Sequence, residues 1–142
     1  MAIQQLTVFL ENKQGKLAKI TDLLAKDGID LRALSIADTA EFGILRLIVS
    51  DVEKAKQILG KNNVLVKITD VVGVRLSDRP GELAEVLFTL DNAGVNVEYL
   101  YAFLMPAADS AYVVLRVAEN DEAEQILQKA GFCLVSAKDI AS

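Results

Sequence analysis

The sequence predicts an α+β fold built twice, and three observations carry that reading. The chain repeats itself: a shift of 66 residues lays Gly15 on Gly81 and Gly28 on Gly94. The same shift lays Val8, Leu10, Leu17, Ala18 and Leu24 on Val74, Leu76, Leu83, Ala84 and Leu90. Within each copy the apolar period alternates between two, as in strands, and about 3.6, as in helices. The composition suits a packed core, with 52% hydrophobic and 25% charged side chains in 142 residues. Eight Gly and two Pro are too few for a low-complexity chain.

Each element of the first copy has its own signal. QLTVFL alternates like a strand. LAKITDLLAK carries Leu17, Ile20 and Leu24 as one helical stripe, and Gly28 follows as a helix C-cap. IDLRALSIAD alternates again, with Ile29, Leu31 and Ala33 as apolar members and Leu34 and Ile36 as further candidates. EFG reads as a tight turn into GILRLIVS, a strand rich in β-branched residues. Asp51 is placed to cap a second helix holding Ala55, Ile58 and Leu59. VLVKITD closes the unit as a fourth strand.

The second copy reads VVGVRL, LAEVLFTLDN, VNVEYLYAFL, AYVVLRVA, DEAEQILQKA and FCLVSA. Its later elements match at a shift of 68, so LMPAADS at 104–110 carries the extra residues in a turn-like stretch. The units are residues 1–69 and 70–142. Their order, βαββαβ, packs two helices on one face of an antiparallel sheet, the ferredoxin-like arrangement. The third strands, ILRLIV and YVVLRV, are apolar on both faces apart from Arg46 and Arg116. Coverage of that second face or its edges, by the other half or by a second copy, is therefore expected.

Composition narrows function. With no histidine, the commonest general base and metal ligand is missing. One cysteine, Cys133, excludes an internal disulfide, fits a reducing cytoplasm and makes a soft-metal site unexpected. Cys133 itself reads as a small buried apolar residue. A net charge of −5 argues against a nucleic-acid backbone as partner. The charge is uneven: residues 1–69 carry ten Lys and Arg against eight Asp and Glu, and residues 70–142 carry five against twelve. No apolar run is long enough to span a membrane, and MAIQQLTVFLENK has no signal-peptide pattern. No metal and no cofactor are expected.

The chemistry concentrates in two loops, NKQGKL at 12–17 and DRPGEL at 78–83. Each joins a strand to a helix through a small acid or amide and a glycine. The first N–H groups of a helix are unpaired and partly positive. They can hold a carboxylate, and Gly15 or Gly81 lets a ligand approach the backbone. Asn12 or Asp78 would meet an ammonium. A small zwitterion such as an amino acid presents both groups. Simple helix capping by Asn12 and Asp78, with Pro80 in a first turn, explains the same residues without a ligand. Tyr99, Tyr101 and Phe103 alternate along one strand as pocket lining or as packing. Arg46, Arg75 and Arg116 are candidate carboxylate partners or ordinary ion-paired arginines.

The repeated pattern, DRPGELAEV at 78–86 and NKQGKLAKI at 12–20, followed by DGID at 27–30 and AGVN at 93–96, resembles the ACT domain family over almost the whole chain. The resemblance implies a non-catalytic regulatory protein that binds an amino acid or similar small effector. It also implies units lying side by side, their antiparallel sheets joined into eight strands with helices on one face. Ligands in such families sit between the first loop of one unit and the second-strand start of its neighbour. Carried over by position, the site residues are Asn12, Lys13, Gln14, Gly15, Lys16 and Leu17, and Asp78, Arg79, Pro80, Gly81, Glu82 and Leu83. The second-strand starts add Ile29, Asp30 and Leu31, and Val95, Asn96 and Val97. Gln14 stands where the family has Pro, a departure confined to the first loop. The expected partners are a free amino acid, a second copy of the chain as a homodimer, and an enzyme regulated in trans. A ligand-free assembly module is the alternative. An enzyme is disfavoured because no nucleophile–base pair, phosphate loop or metal cluster is visible. An RNA-binding sheet is disfavoured because the chain is acidic and lacks the aromatic-plus-basic strands that stack bases.

Overall fold

The computed structural model describes residues 3–38, 42–77, 79–103 and 110–141. The stretch 104–109, Glu41 of the EFG turn, and Asp78 lie outside the described residues. The chain divides into two compact units.

The first unit comprises Gln4–Thr69 together with Ala141. Its elements are β1 (Ile3–Glu11), α1 (Lys16–Lys26), β2 (Leu31–Asp38), β3 (Phe42–Val49), α2 (Val52–Lys61) and the opening residues of β4 (Leu65–Ser77). The strand order is β2-β3-β1-β4. Register is regular: Leu6 faces Leu47, Val8 faces Leu45 and Leu10 faces Gly43. Directly opposed residues point to the same face. Leu6, Val8, Leu45, Leu47 and Val49 therefore form one apolar layer, onto which Ile20 and Leu24 of α1 and Ala55 and Leu59 of α2 pack. Asp51 caps α2 as its position predicts, accepting from Lys54 N–H at 3.1 Å. The opposite face is also buried along its middle, at Gln5, Thr7, Ala33 and Ile48. Gln5 Nε2 donates to Thr7 Oγ1 at 3.1 Å, which satisfies both polar groups.

The second unit, Asp70–Ile140 with Ile3, repeats the scheme. It holds the rest of β4, then α3 (Glu82–Asn92), β5 (Tyr99–Phe103), β6 (Ser110–Arg116), α4 (Asn120–Lys129), β7 (Cys133–Val135) and a short α5 (Ala137–Ala141). The strand order is β7-β4-β6-β5. Its core is Val72, Val74, Leu76, Val86, Leu90, Val113, Leu115, Val117, Ala123 and Leu127. Each has its counterpart at the repeat-equivalent position of the first unit, so the sequence repeat is a repeat of packing. On the other face Tyr101, Tyr112 and Val114 are buried.

Three expectations are corrected. The sheet strands number seven, not eight, among the described residues, because VLVKITD and VVGVRL are one thirteen-residue strand. No Pro or turn dipeptide interrupts that run, and its only glycine, Gly73, sits in regular pairing with Val114 and Val135. Cys133 is exposed rather than buried, because β7 is a three-residue strand that meets only the Gly73–Arg75 stretch of β4. The second strand of the second copy starts late, at Tyr99; Val95–Glu98 precede it as irregular chain. No helix among the described residues is long and apolar enough to cross a membrane.

Candidate functional site

The two loops are built alike. Gly15 (φ 86°) and Gly81 (φ 91°) stand at the N-cap positions of α1 and α3, in the left-handed region. That region disfavours any residue with a Cβ, which is why glycine recurs there. A Cβ built at either position meets no atom within 4 Å, so the constraint is backbone angle rather than space. A glycine at the N-cap has no side chain to cap its helix. Asn12 stands three residues before the N-cap of α1, and Pro80 lies one residue before the N-cap of α3 rather than in its first turn. The N–H groups of Leu17, Ala18, Leu83 and Ala84 have no hydrogen-bond partner among the described residues. These are the groups a carboxylate meets at a helix start.

Around them the loops differ. Asn12, Lys13, Gln14 and Lys16 are exposed, and Lys13 Nζ pairs with Glu11 at 2.9 Å. This hydrogen bond, with the Lys13 and Lys16 charges, holds the Glu11 carboxyl below its ordinary range. In the second loop Arg79 reaches Glu82 at 3.1 Å and Glu85 at 3.2 Å, and Ser77 Oγ donates to Glu82. The Ser77 hydrogen bonds, ahead of Arg79, hold Glu82 below its usual value. Leu83 packs against its unit's core, whereas Leu17 stays 37% exposed.

The second-strand starts are divided by side chain. Ile29 and Leu31 pack into the first core, and Val95 and Val97 against the second. Asp30 and Asn96 between them are exposed. Asp30 N–H donates to Ser50 Oγ at 3.0 Å, and its carboxylate pairs with Arg32 at 3.2 Å.

No single unit brings loop and second-strand start together. Glu11, at the loop, pairs with Phe42, whereas Leu31 pairs with Val49 at the far end of β3. About seven strand steps, roughly 24 Å, separate them. In the second unit Ser77 pairs with Ser110 and Tyr99 with Arg116, again opposite ends of one strand.

A family model described as an ACT domain pair matches residues 1–142. The chain belongs to the ACT domain pair family. Among solved structures, this ACT domain pair is similar to a protein from Bacteroides thetaiotaomicron, with 44% identity and a TM-score of 0.94 over 100% of this chain and 97% of that one. It shares its fold with the ligand-free regulatory subunit of aspartate kinase from Thermus thermophilus, at 14% identity and TM-score 0.65 over 90% and 92% of the two chains. The same fold occurs in E. coli aspartokinase III solved with lysine and aspartate, at 17% identity and TM-score 0.52, covering 91% of this chain and 30% of that one. No curated protein matches the chain.

Other candidate groups sit elsewhere. Tyr101 is buried and Tyr99 half-buried on the face away from the helices, and the Phe103 side chain lies outside the described residues. Arg116 Nη1 donates to the Asp70 carbonyl at 3.2 Å. Arg46 is half-buried and Arg75 exposed, both in strands. Two cavities border the predicted residues, each within one unit. One, of about 300 Å³, touches Val95 and Asn96; the other, of about 180 Å³, touches Lys16. The second also collects Lys19 and Asn63, which the sequence reading passed over. The signal was present in the i,i+3 spacing of Lys16 and Lys19, which puts both on one side of a helix.

Proposed function

We propose that this ACT domain pair is a non-catalytic regulatory protein that binds a free amino acid as effector. The observation that carries the reading is the repeated loop, with a left-handed glycine at the N-cap of the following helix in both units. The effector carboxylate takes the free first-turn N–H groups beside Gly15 or Gly81. The other half of the proposed site, the exposed Asp30 or Asn96, comes from a different unit of this chain or of a second copy, a reading supported by loop and second-strand start lying at opposite ends of their strands. There the polar side chain meets the ammonium. Ile29, Leu31, Val95 and Val97, committed to their cores, fix the backbone that presents it. The aspartate kinase neighbours, one described as a regulatory subunit and one as a complex with lysine and aspartate, support an amino-acid effector. Regulation of an enzyme in trans and a homodimer belong to the same proposal, through effector binding that favours one arrangement of units.

A thermal-shift screen with each free amino acid tests it. At least one should raise the melting temperature in a saturable way, and Gly81→Val should remove that response while circular dichroism stays native. Should the valine variant fail to fold, Gly81→Ala, which adds the same φ penalty with less bulk, takes its place. A flat screen across the panel would overturn the reading in favour of an assembly module that needs no ligand. That rival has a specific support of its own: Leu34 and Ile36 of edge strand β2 are 52% and 44% exposed.

A further inference from the structure

We infer that the first unit carries a separate binding site, for a small carboxylate on an apolar body, in the cavity between the start of α1 and the turn from α2 into β4. The cavity measures about 180 Å³, roughly the share of six water molecules. Its wall includes Leu10, Ile20 and Val64, all part of or packed against the first core. Its polar residues include Lys16, Lys19 and Asn63. Apolar and polar side chains thus meet in one small concavity.

Three observations give the site its charge preference. Neither Lys16 nor Lys19 has an ion pair or side-chain hydrogen bond among the described residues, whereas Lys13 and Lys26 pair with Glu11 and Asp22. Glu11, the one carboxylate on the lining, is already engaged by Lys13 at 2.9 Å. Asn63 holds a left-handed φ of 61°, in a tight turn closed by Asn63 N–H to Gly60 O and Val64 N–H to Leu59 O. Its side-chain amide has no hydrogen bond among the described residues, while the neighbouring Asn62 spends its own on Ile58 O.

The repeat supplies an internal comparison. Lys16 and Lys19 correspond to Glu82 and Glu85, and Arg79 meets both of those carboxylates. At this corner the second unit makes carboxylate–cation pairs from its own chain. In the first unit the one carboxylate on the lining, Glu11, is paired with Lys13, and Lys16 acts on it only through its charge. Val64 and Asn63 correspond to Phe132 and Gly131, so the second unit also has a bulkier apolar residue and no amide there. Among the described residues the second unit does not repeat this arrangement. The site needs no second unit, and of the residues named for the effector loops it shares only Lys16; Lys19 and Asn63 are its own. An ammonium on the ligand would face Lys16 and Lys19, which favours a simple carboxylic acid over the matching amino acid.

Calorimetric titration of the full chain with 3-methylbutanoate tests the site at low salt. Saturable binding is expected. Lys16→Glu with Lys19→Glu should weaken it by about tenfold or more, and Lys26→Gln should leave it unchanged. Lys16→Gln with Lys19→Gln repeats the test should the acidic pair disturb folding. Absence of saturable binding, or binding that survives both double variants, would overturn the inference. Effector binding that fails in the Gly81 variants leaves this result untouched, so the two failures are distinguishable.

Discussion

Ser77 Oγ donates to the Glu82 carboxylate, joining the last residue of β4 to the first of α3 across the loop that holds Gly81. Hydrogen bonds from Ser77, then the Arg79 charge, hold that carboxyl below its ordinary value of 4.5. A carboxyl whose folded value is depressed stabilises the fold above its unfolded value. That contribution is lost as pH falls through the lowered folded value. Ser77→Ala should therefore lower the melting temperature at pH 7 by a few degrees at most, and the difference from wild type should shrink below about pH 4. Melting curves from pH 3 to pH 7 check it; a gap that stays constant over that range would show that Glu82 ionisation is not involved.

Glu124 carries the opposite sign. It is 8% exposed, and burial first, then the Asp121 charge, raises its carboxyl above the ordinary value. With a raised folded value, the ionised form costs stability at neutral pH, and that cost is relieved as pH falls through the raised value. Glu124→Gln should stabilise the chain at pH 7, each kcal/mol recovered appearing as about 2–4 °C. The advantage should fade under acid. A glutamine variant that melts lower than wild type at pH 7 would contradict the argument.

Gly73 is constrained by space. A Cβ there would lie 2.4 Å from Ile3 Cδ1 and 3.2 Å from Val135 Cβ, and both neighbours are buried. Gly73→Ala should cost about 1–3 kcal/mol through overpacking, measured by urea denaturation. Gly43→Ala is the control. Its Cβ would meet Leu10 Cγ at 3.8 Å, an ordinary contact, and the repeat-equivalent residue is already Ala111. That variant should be neutral or slightly stabilising, because alanine loses less backbone freedom than glycine on folding.

Much of the fold is legible in local pattern. Leu6 and Val8, Ile20 and Leu24, and Ala55 and Leu59 are core residues in the first unit, and the 66- and 68-residue shifts carry them onto core residues of the second. Asp51 announces its helix because capping is settled by neighbours in sequence. The loops of 12–17 and 78–83 are legible for the same reason, since a glycine before a helix signals a particular backbone angle.

What the sequence by itself determined is the repeat, the period of each element and the residue types at each helix start. These depend on interactions a few residues apart. The tertiary structure decided the rest. Strand β4 runs through the boundary between copies as one thirteen-residue element, a fact no local signal contains. Cys133 is exposed because of where its short strand ends up, not because of its side chain. Lys16 and Asn63, 47 positions apart, border one cavity only because β1, α1 and the turn after α2 converge there. Long-range packing chooses such partners, since apolar burial is non-directional and rewards any arrangement that closes the core.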